Sequence, residues 1–386
     1  MDPLVPRYGA GSLADVVPSL LAGLDVPGMV DVLGISGPAR VCVLLVDGLG
    51  WRLLREHASD APFLASLAGP PITAGFPSTT ASSVAALGTG ASTGEHGLVG
   101  YSFAAGDEVL NALRWNRYGA PEHVDLRSVL VPEEVQPRRT AFEAAADAGV
   151  AVRLVLPRDH KGSGLTRAVL RGGRYQGVLG LGDLVARVGE ALRSADRVLC
   201  YAYHADLDGL GHVYGPGSEP WRWQLRFVDR LAAAVADDLP PGGALVVTAD
   251  HGMVVADDRV DCDTDPVLRD GVRALAGEAR VRHVYTDVPD DVRSRWAGRL
   301  GDRAWIASRE EAVAAGWFGP TVADHVRPRI GDLVVAAKGS LALVRSEVEA
   351  GLTGFVGHHG SLTEEEQHIP VLVAGASSTR TVGGSA

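Results

Sequence analysis

Five short apolar runs constrain what this 386-residue chain can become: Ala39–Val46, Val150–Leu156, Arg197–Tyr203, Ala244–Thr248 and Ile369–Ala374. Each is nearly continuous rather than alternating, so each reads as a strand buried on both faces. Between them lie stretches with helical spacing, at Pro62–Leu67, Thr140–Ala148, Leu181–Arg193 and Trp221–Ala236. Doubly buried strands alternating with helices predict an α/β fold, with a mostly parallel sheet covered on both faces.

The stretch from Ala256 to Asp332 breaks this rhythm. It is rich in Asp and Arg, holds shorter strand candidates at Val281–Tyr285 and Ala304–Ala307, and ends near Pro320–Pro328. It reads as an inserted, cap-like subdomain (256–332) within a core formed by 1–255 and 333–386. The last segment, Ser377–Ala386, is rich in Ser, Thr and Gly and reads as a fraying tail.

A formal net charge of −11 argues against a nucleic-acid polymer as partner, because displacing counterions from its backbone requires a basic surface. A small phosphorylated molecule remains compatible, since bound divalent ions supply positive charge that the count ignores. The three cysteines, Cys42, Cys200 and Cys262, form no CxxC pattern, so neither a disulfide framework nor a thiolate zinc site is predicted. No apolar run approaches the ~20 residues that span a bilayer. The first residues show no basic stretch followed by an apolar one. The expectation is a cytoplasmic protein without membrane contact; its oligomeric state is not legible.

Three of the runs end in carboxylates: VCVLLVDG in Asp47, VLCYAYHADLDGLGH in Asp206 and Asp208, and ALVVTADHG in Asp250 with His251. In an open α/β sheet the C-terminal strand edge is where loops converge on a ligand. Acidic groups gathered there repel one another unless cations hold them. Asp208 and His212, four apart, share one face of a helical turn. Taken singly, each has a plainer reading as a turn, a cap or a solvated loop. The glycine-rich Gly88–Gly94 lacks GxGxxG spacing and reads as a helix end and turn. His57, His123, His160, His204, His283, His325 and His368 read as surface or structural residues.

The order strand-Asp-Gly, FPSTTASSVAALGTG, DLDGLGHVYGP, TADHGM and GHHG resembles the nucleotide pyrophosphatase/phosphodiesterase family of the alkaline phosphatase superfamily, over about residues 41 to 375. The resemblance implies an alkaline phosphatase-like three-layer α/β/α sandwich. It implies two divalent ions, zinc or alternatively manganese. One would be held by Asp208, His212 and His359, the other by Asp47, Asp250, His251 and the Thr80 hydroxyl. His359 is taken over His358 because the family histidine directly precedes the glycine. Counting back from Thr89-Gly90 puts the family's covalent nucleophile on Thr80, at the start of the apolar helix Ala81–Leu87. Free N–H groups there favour a phosphoryl anion. The implied activity is phosphodiester or nucleotide pyrophosphate hydrolysis through a phospho-threonine.

The chain also departs from that pattern. Ala81, Ser82 and Ser83 stand where the family carries Pro-Asn-His, and Tyr101 stands at the position of an Asn that bonds a phosphate oxygen. Asn111, Arg114 and Asn116 are candidate replacement donors, and Trp115 and Tyr118 candidate stacking surfaces for a base. These departures keep open a phosphomonoesterase or phosphonate hydrolase, with Arg114 or Lys161 meeting the extra charge. From another class, an inactive ligand-binding relative stays open too.

Overall fold

The computed structural model describes residues 2–67 and 69–375; the tail expected to fray lies outside them. The central sheet has six strands. In chain order they are β1 (Arg40–Val46), β2 (Ala151–Pro157), β3 (Arg174–Val178), β4 (Val198–His204) and β5 (Gly243–Thr248). The sixth, Val371–Gly375, runs along β5. β1 lies at the centre, with β4 and β5 as parallel neighbours. β2 and β3 extend the sheet in parallel beyond β4. Only the strand at Val371–Gly375 is antiparallel.

All five apolar runs thus form strands of this sheet. The run at Ile369–Ala374 is split: His368–Ile369 pairs instead with Ile72–Thr73, and the sheet strand begins at Val371. β3 was not foreseen. As an edge strand it keeps RYQGV half exposed, so it carries no continuous apolar run. The expected helices form close to their expected bounds, for example Leu181–Leu192 and Glu219–Asp237. Thr140 caps Ala141–Asp147 with its side chain, accepting from the Glu143 N–H. Helices cover both faces, giving an α/β/α sandwich around one large apolar core.

A second, antiparallel sheet is built from Ala274–Glu278, Val281–Tyr285, Ala304–Ser308 and Leu333–Ala337. It has its own apolar cluster around Val284, Trp296, Leu300 and Val335. Leu333–Ala337 pairs with both Val281–Tyr285 and Ala304–Ser308. Leu333–Ala337, which the expected boundary at 332 leaves with the core, is thus a strand of this sheet, whereas Leu341–Val344 pairs with Asp258–Asp261 in a separate two-stranded ladder. The apolar run LVVAA looks like a core strand, and nothing in its composition says which sheet it joins.

Arg280 and Glu366 clamp this sheet to the core. Both side chains are fully buried, 2.8 Å apart. Arg280 also donates to the Leu341 and Ala337 carbonyls. Glu366 accepts from the Ser361 N–H and the Thr363 hydroxyl. With every polar atom engaged, the pair is tolerated inside the protein, whereas removing one partner strands the other charge. Arg280→Ala should therefore lower unfolding free energy by about 3–5 kcal/mol in a urea titration, whereas replacing a surface arginine such as Arg187 should leave the transition almost where it was.

Candidate metal centre and active site

Strand register brings the acidic residues together. β1 aligns Val46 with His204 of β4 and Leu45 with Thr248 of β5, so the three strands end level. The next residues along each chain are Asp47, the helix Asp206–Tyr214 carrying Asp208 and His212, and Asp250-His251. Because the strand at Val371–Gly375 is antiparallel, the segment before it crosses this same edge and delivers His359. Gly48 has φ +73°, and a Cβ there would lie 3.1 Å from the Asp208 Cα. Only glycine adopts that turn readily while letting the Asp208 helix approach.

Thr80 is the first residue of the helix Thr80–Thr89, with Thr79 as its N-cap. Its hydroxyl lies 3.4 Å from Asp47 Oδ2 and 3.4 Å from His251 Nε2. Ser83, one turn on, donates its hydroxyl to the Asp250 carbonyl at 2.7 Å and pins the helix to the sheet edge. The helix ends at Gly90 in the left-handed conformation, and Ser92 starts the next. The glycine-rich stretch is therefore a helix end and turn, as expected.

The ligand-type atoms form two groups, Asp47–Asp250–His251 and Asp208–His212–His359. In the first, His251 Nε2 is 3.4 Å from Asp47 Oδ1 and 3.4 Å from Asp250 Oδ2. In the second, His212 Nε2 is 3.2 Å from Asp208 Oδ2 and 3.3 Å from His359 Nε2. Tetrahedral ligands at about 2.0–2.1 Å from an ion are about 3.3 Å apart, so these spacings are compatible with a divalent ion in either group. The hydrogen bonds agree. His212, His251 and His359 each donate Nδ1–H to a backbone carbonyl, those of Gly357, Gly252 and Ser78. In the neutral form each ring therefore presents the Nε2 lone pair to the group. Asp47 Oδ1, Asp208 Oδ1 and Asp250 Oδ2 are buried without any hydrogen-bond partner. Such orphaned carboxylate oxygens fit cations in both groups.

Electrostatics point the same way. Burial, then the charges of Asp250 and Asp208, push the Asp47 carboxyl well above its ordinary range. Burial also opposes charge on Asp208 and His212, but their mutual attraction outweighs it. Asp208 is held low and His212 is lifted to about 9. Burial, then His251 stacked 3.6 Å away, keeps His359 well below the usual imidazole value.

His359, not its neighbour His358, joins the second group; His358 Nε2 faces the Phe355 carbonyl at 3.2 Å. Tyr101 and Arg114 line a cavity of about 260 Å³ beside Thr80, Asp208, His212 and His359. Asn111 does not line it. Its side-chain oxygen accepts from the Leu113 and Arg114 N–H groups, shaping the turn that presents them. Asn116 faces His123 instead. Trp115 is fully buried and donates to the Leu130 carbonyl, and Tyr118 donates to Glu349. Neither ring is free to stack on a base. Lys161 lines neither this cavity nor the one beyond Thr80.

Two residues escaped the sequence reading. Tyr203, inside β4, donates its hydroxyl to Asp47 Oδ2; its polar tip in an apolar strand was the available signal. Glu278 lines the cavity and accepts from the Thr79 hydroxyl at 3.2 Å, and burial lifts its carboxyl to about 8. It comes from the stretch that matched no motif, so nothing marked it. His160, expected to be structural, lines a second cavity of about 330 Å³ with Asp47, Thr80, Tyr203 and Asp208.

The sequence model described as type I phosphodiesterase / nucleotide pyrophosphatase matches residues 41–362. No curated protein sequence matches. Among solved structures, an inactive variant of murine ectonucleotide pyrophosphatase / phosphodiesterase 5 in complex with AMP is 18% identical, with a TM-score of 0.66 over 87% of this chain and 88% of that one. The human protein of that name is 16% identical over 87% and 88%, with a TM-score of 0.64. Phosphonoacetate hydrolase from Sinorhizobium meliloti, in complex with phosphonoacetate, is 21% identical over 87% and 90%, with a TM-score of 0.62. At these identities the likeness establishes the fold. Among the described residues, no helix is long and apolar enough to cross a membrane.

The pH dependence of metal removal follows from Asp47. Its folded pKa is raised, so without a cation its contribution to stability is complete below the ordinary carboxylate pKa and is lost as pH rises through the folded value. Cations reverse that loss. The gap in Tm between zinc-loaded and chelated protein should widen from pH 5 to pH 8 in differential scanning calorimetry. A constant gap would show that the acidic cluster is not what the cations stabilise.

Proposed function

The chain belongs to the type I phosphodiesterase / nucleotide pyrophosphatase family, and on that premise we propose that this phosphoester hydrolase is a two-metal phosphodiesterase with Thr80 as its covalent nucleophile. The observation that carries the diester reading is a pair of cavities that share Thr80, Leu113 and Asp208. One, about 260 Å³, borders His212 and His359. The other, about 330 Å³, borders Asp47 and Tyr203 and is walled by Val84, Leu156, Leu165 and Leu170. A phosphorus atom at Thr80 thus has room for two organic substituents, which a monoester does not have.

Asp47, Asp250, His251 and the Thr80 hydroxyl would hold one ion, and Asp208, His212 and His359 the other. Zinc suits these oxygen and imidazole donors, with manganese as the alternative. When bound, the ions would neutralise the carboxylates, lower the pKa of the Thr80 hydroxyl and stabilise charge on the departing oxygen. The residues supply the rest. Asp47 and Tyr203 orient the Thr80 side of the site, and the N-terminus of the Thr80–Thr89 helix offers N–H groups to the phosphoryl oxygens. Tyr101 stands where its phenol can donate one further hydrogen bond. The Thr80 hydroxyl gives its proton to solvent, the Oγ–P bond forms as the bond to the arm in the smaller cavity breaks, and the departing oxygen takes a proton from solvent. Water then cleaves the phospho-threonine, restoring the hydroxyl and releasing a phosphomonoester.

A second reading, a phosphonate hydrolase or phosphomonoesterase, is favoured by Arg114, exposed on the wall of the smaller cavity. It could meet a carboxylate or a third phosphoryl charge. Zinc-loaded protein should hydrolyse bis-p-nitrophenyl phosphate faster than p-nitrophenyl phosphate. Thr80→Ala should reduce kcat by roughly 10⁴-fold, and chelator should abolish turnover. A monoester preference lost in Arg114→Ala would support the second reading instead. Two bound metals with no turnover of either ester would leave the ligand-binding alternative.

A further inference from the structure

The larger cavity beside Thr80 has an aliphatic wall built from three elements. Val84 lies one turn along the Thr80–Thr89 helix, and Leu156 stands near the end of β2. Leu165 belongs to the helix Gly164–Val169, and Leu170 follows it directly. The two helices are pressed together: a Cβ on Gly88 would lie 2.1 Å from the Val169 carbonyl oxygen. Glycine at that position permits the contact, which holds the wall at a set distance from the nucleophile's helix.

Most polar side chains of this cavity are already engaged. Ser163 donates to the Thr166 hydroxyl at 3.0 Å and accepts from the Thr166 N–H at 3.2 Å. Thr166 in turn donates to the His160 carbonyl at 3.0 Å, and Tyr203 donates to Asp47. Asp47 and Asp208 belong to the two ligand groups. Among the described residues, the Tyr201 hydroxyl and the half-buried His160 ring are the polar side-chain groups of this cavity left without a partner. A substituent entering here therefore meets aliphatic surface and few free donors or acceptors. Each buried methylene adds to its binding, whereas each polar atom that loses water without gaining a partner subtracts from it.

We propose that this cavity selects the half of the diester that stays on phosphorus, taking a hydrocarbon substituent and disfavouring a nucleoside. A nucleoside carries hydroxyl, carbonyl and ring-nitrogen atoms in greater number than the free groups of the wall can meet. An alkyl or aryl arm asks for none of them. The product released from the phospho-threonine is then a hydrocarbon phosphomonoester rather than a nucleotide. This rests on the preceding reading, in which Thr80 is the nucleophile and the smaller cavity receives the departing arm.

The test holds the departing group constant and varies the retained one. Zinc-loaded protein is given the p-nitrophenyl esters of methyl phosphate, butyl phosphate and thymidine 5′-monophosphate, all of which release p-nitrophenol. From methyl to butyl, kcat/KM should rise by about threefold per added methylene, and the thymidine ester should fall at least about tenfold below the butyl ester. Leu165→Asn, at a half-buried position of the wall, should shrink the butyl-to-methyl ratio by at least about threefold. Calorimetric titration of Thr80→Ala protein gives a readout independent of turnover, and monobutyl phosphate should bind more tightly than thymidine 5′-monophosphate. A Thr80-dependent esterase that prefers the thymidine ester, or that treats methyl and butyl alike, would overturn this inference alone. Cleavage of none of the three esters, or cleavage independent of Thr80, would overturn the phosphodiesterase reading and this inference with it.

Discussion

Three carboxylates, Asp47, Asp208 and Asp250, meet at one sheet edge with orphaned oxygens, and the rest of the site is arranged around that repulsion. The cost of burying them together is far more than the stability of a domain could absorb if nothing compensated it. Partial compensation is built into the protein. Tyr203 donates to Asp47, the Gly48 and His251 N–H groups donate to Asp250, and His212 faces Asp208. The oxygens that remain unmet are those facing the imidazole lone pairs. That pattern is what a cation site requires and what a merely structural polar cluster would avoid.

The same edge explains why the nucleophile candidate is a residue on a helix and not on a loop. Thr80 occupies the first turn of Thr80–Thr89, held to the sheet by the Ser83 bond to Asp250. A rigid helix N-terminus supplies both placement and unpaired donors without reorganisation when charge develops. Ser82 and Ser83, which depart from the family's residues, are buried and bonded to the Leu98 and Asp250 carbonyls. They serve the packing of this helix and do not face the cavities. Tyr101 does face the smaller one.

The second sheet is more than a cover. Its strand Ala274–Glu278 contributes Glu278 to the cavity, and the buried Arg280–Glu366 pair ties the same hairpin to the segment that follows His359. Groups on that segment are thereby positioned against the core from both sides.

Much of this was legible in the chain alone, because local physics decides it. Continuous apolar runs can only be doubly buried strands, and those runs became strands of the central sheet. Motif order placed Asp47, Thr80, Asp208, His212, Asp250, His251 and His359, and the fold brings all seven together. What the sequence could not show depends on contacts between distant segments. The LVVAA strand is equally apolar in either sheet, and pairing alone assigned it to the second. Edge strand RYQGV lacks a pattern because one side meets water. Asn111 and Trp115 looked like ligand-facing groups, since composition cannot reveal that a carboxamide is held by backbone N–H groups or an indole by a carbonyl. Glu278 reaches the smaller cavity only once the second sheet closes on the edge of the central one, across a sequence separation of 199 residues from Thr79, and side-chain direction there is set by packing, not by the identity of the residue.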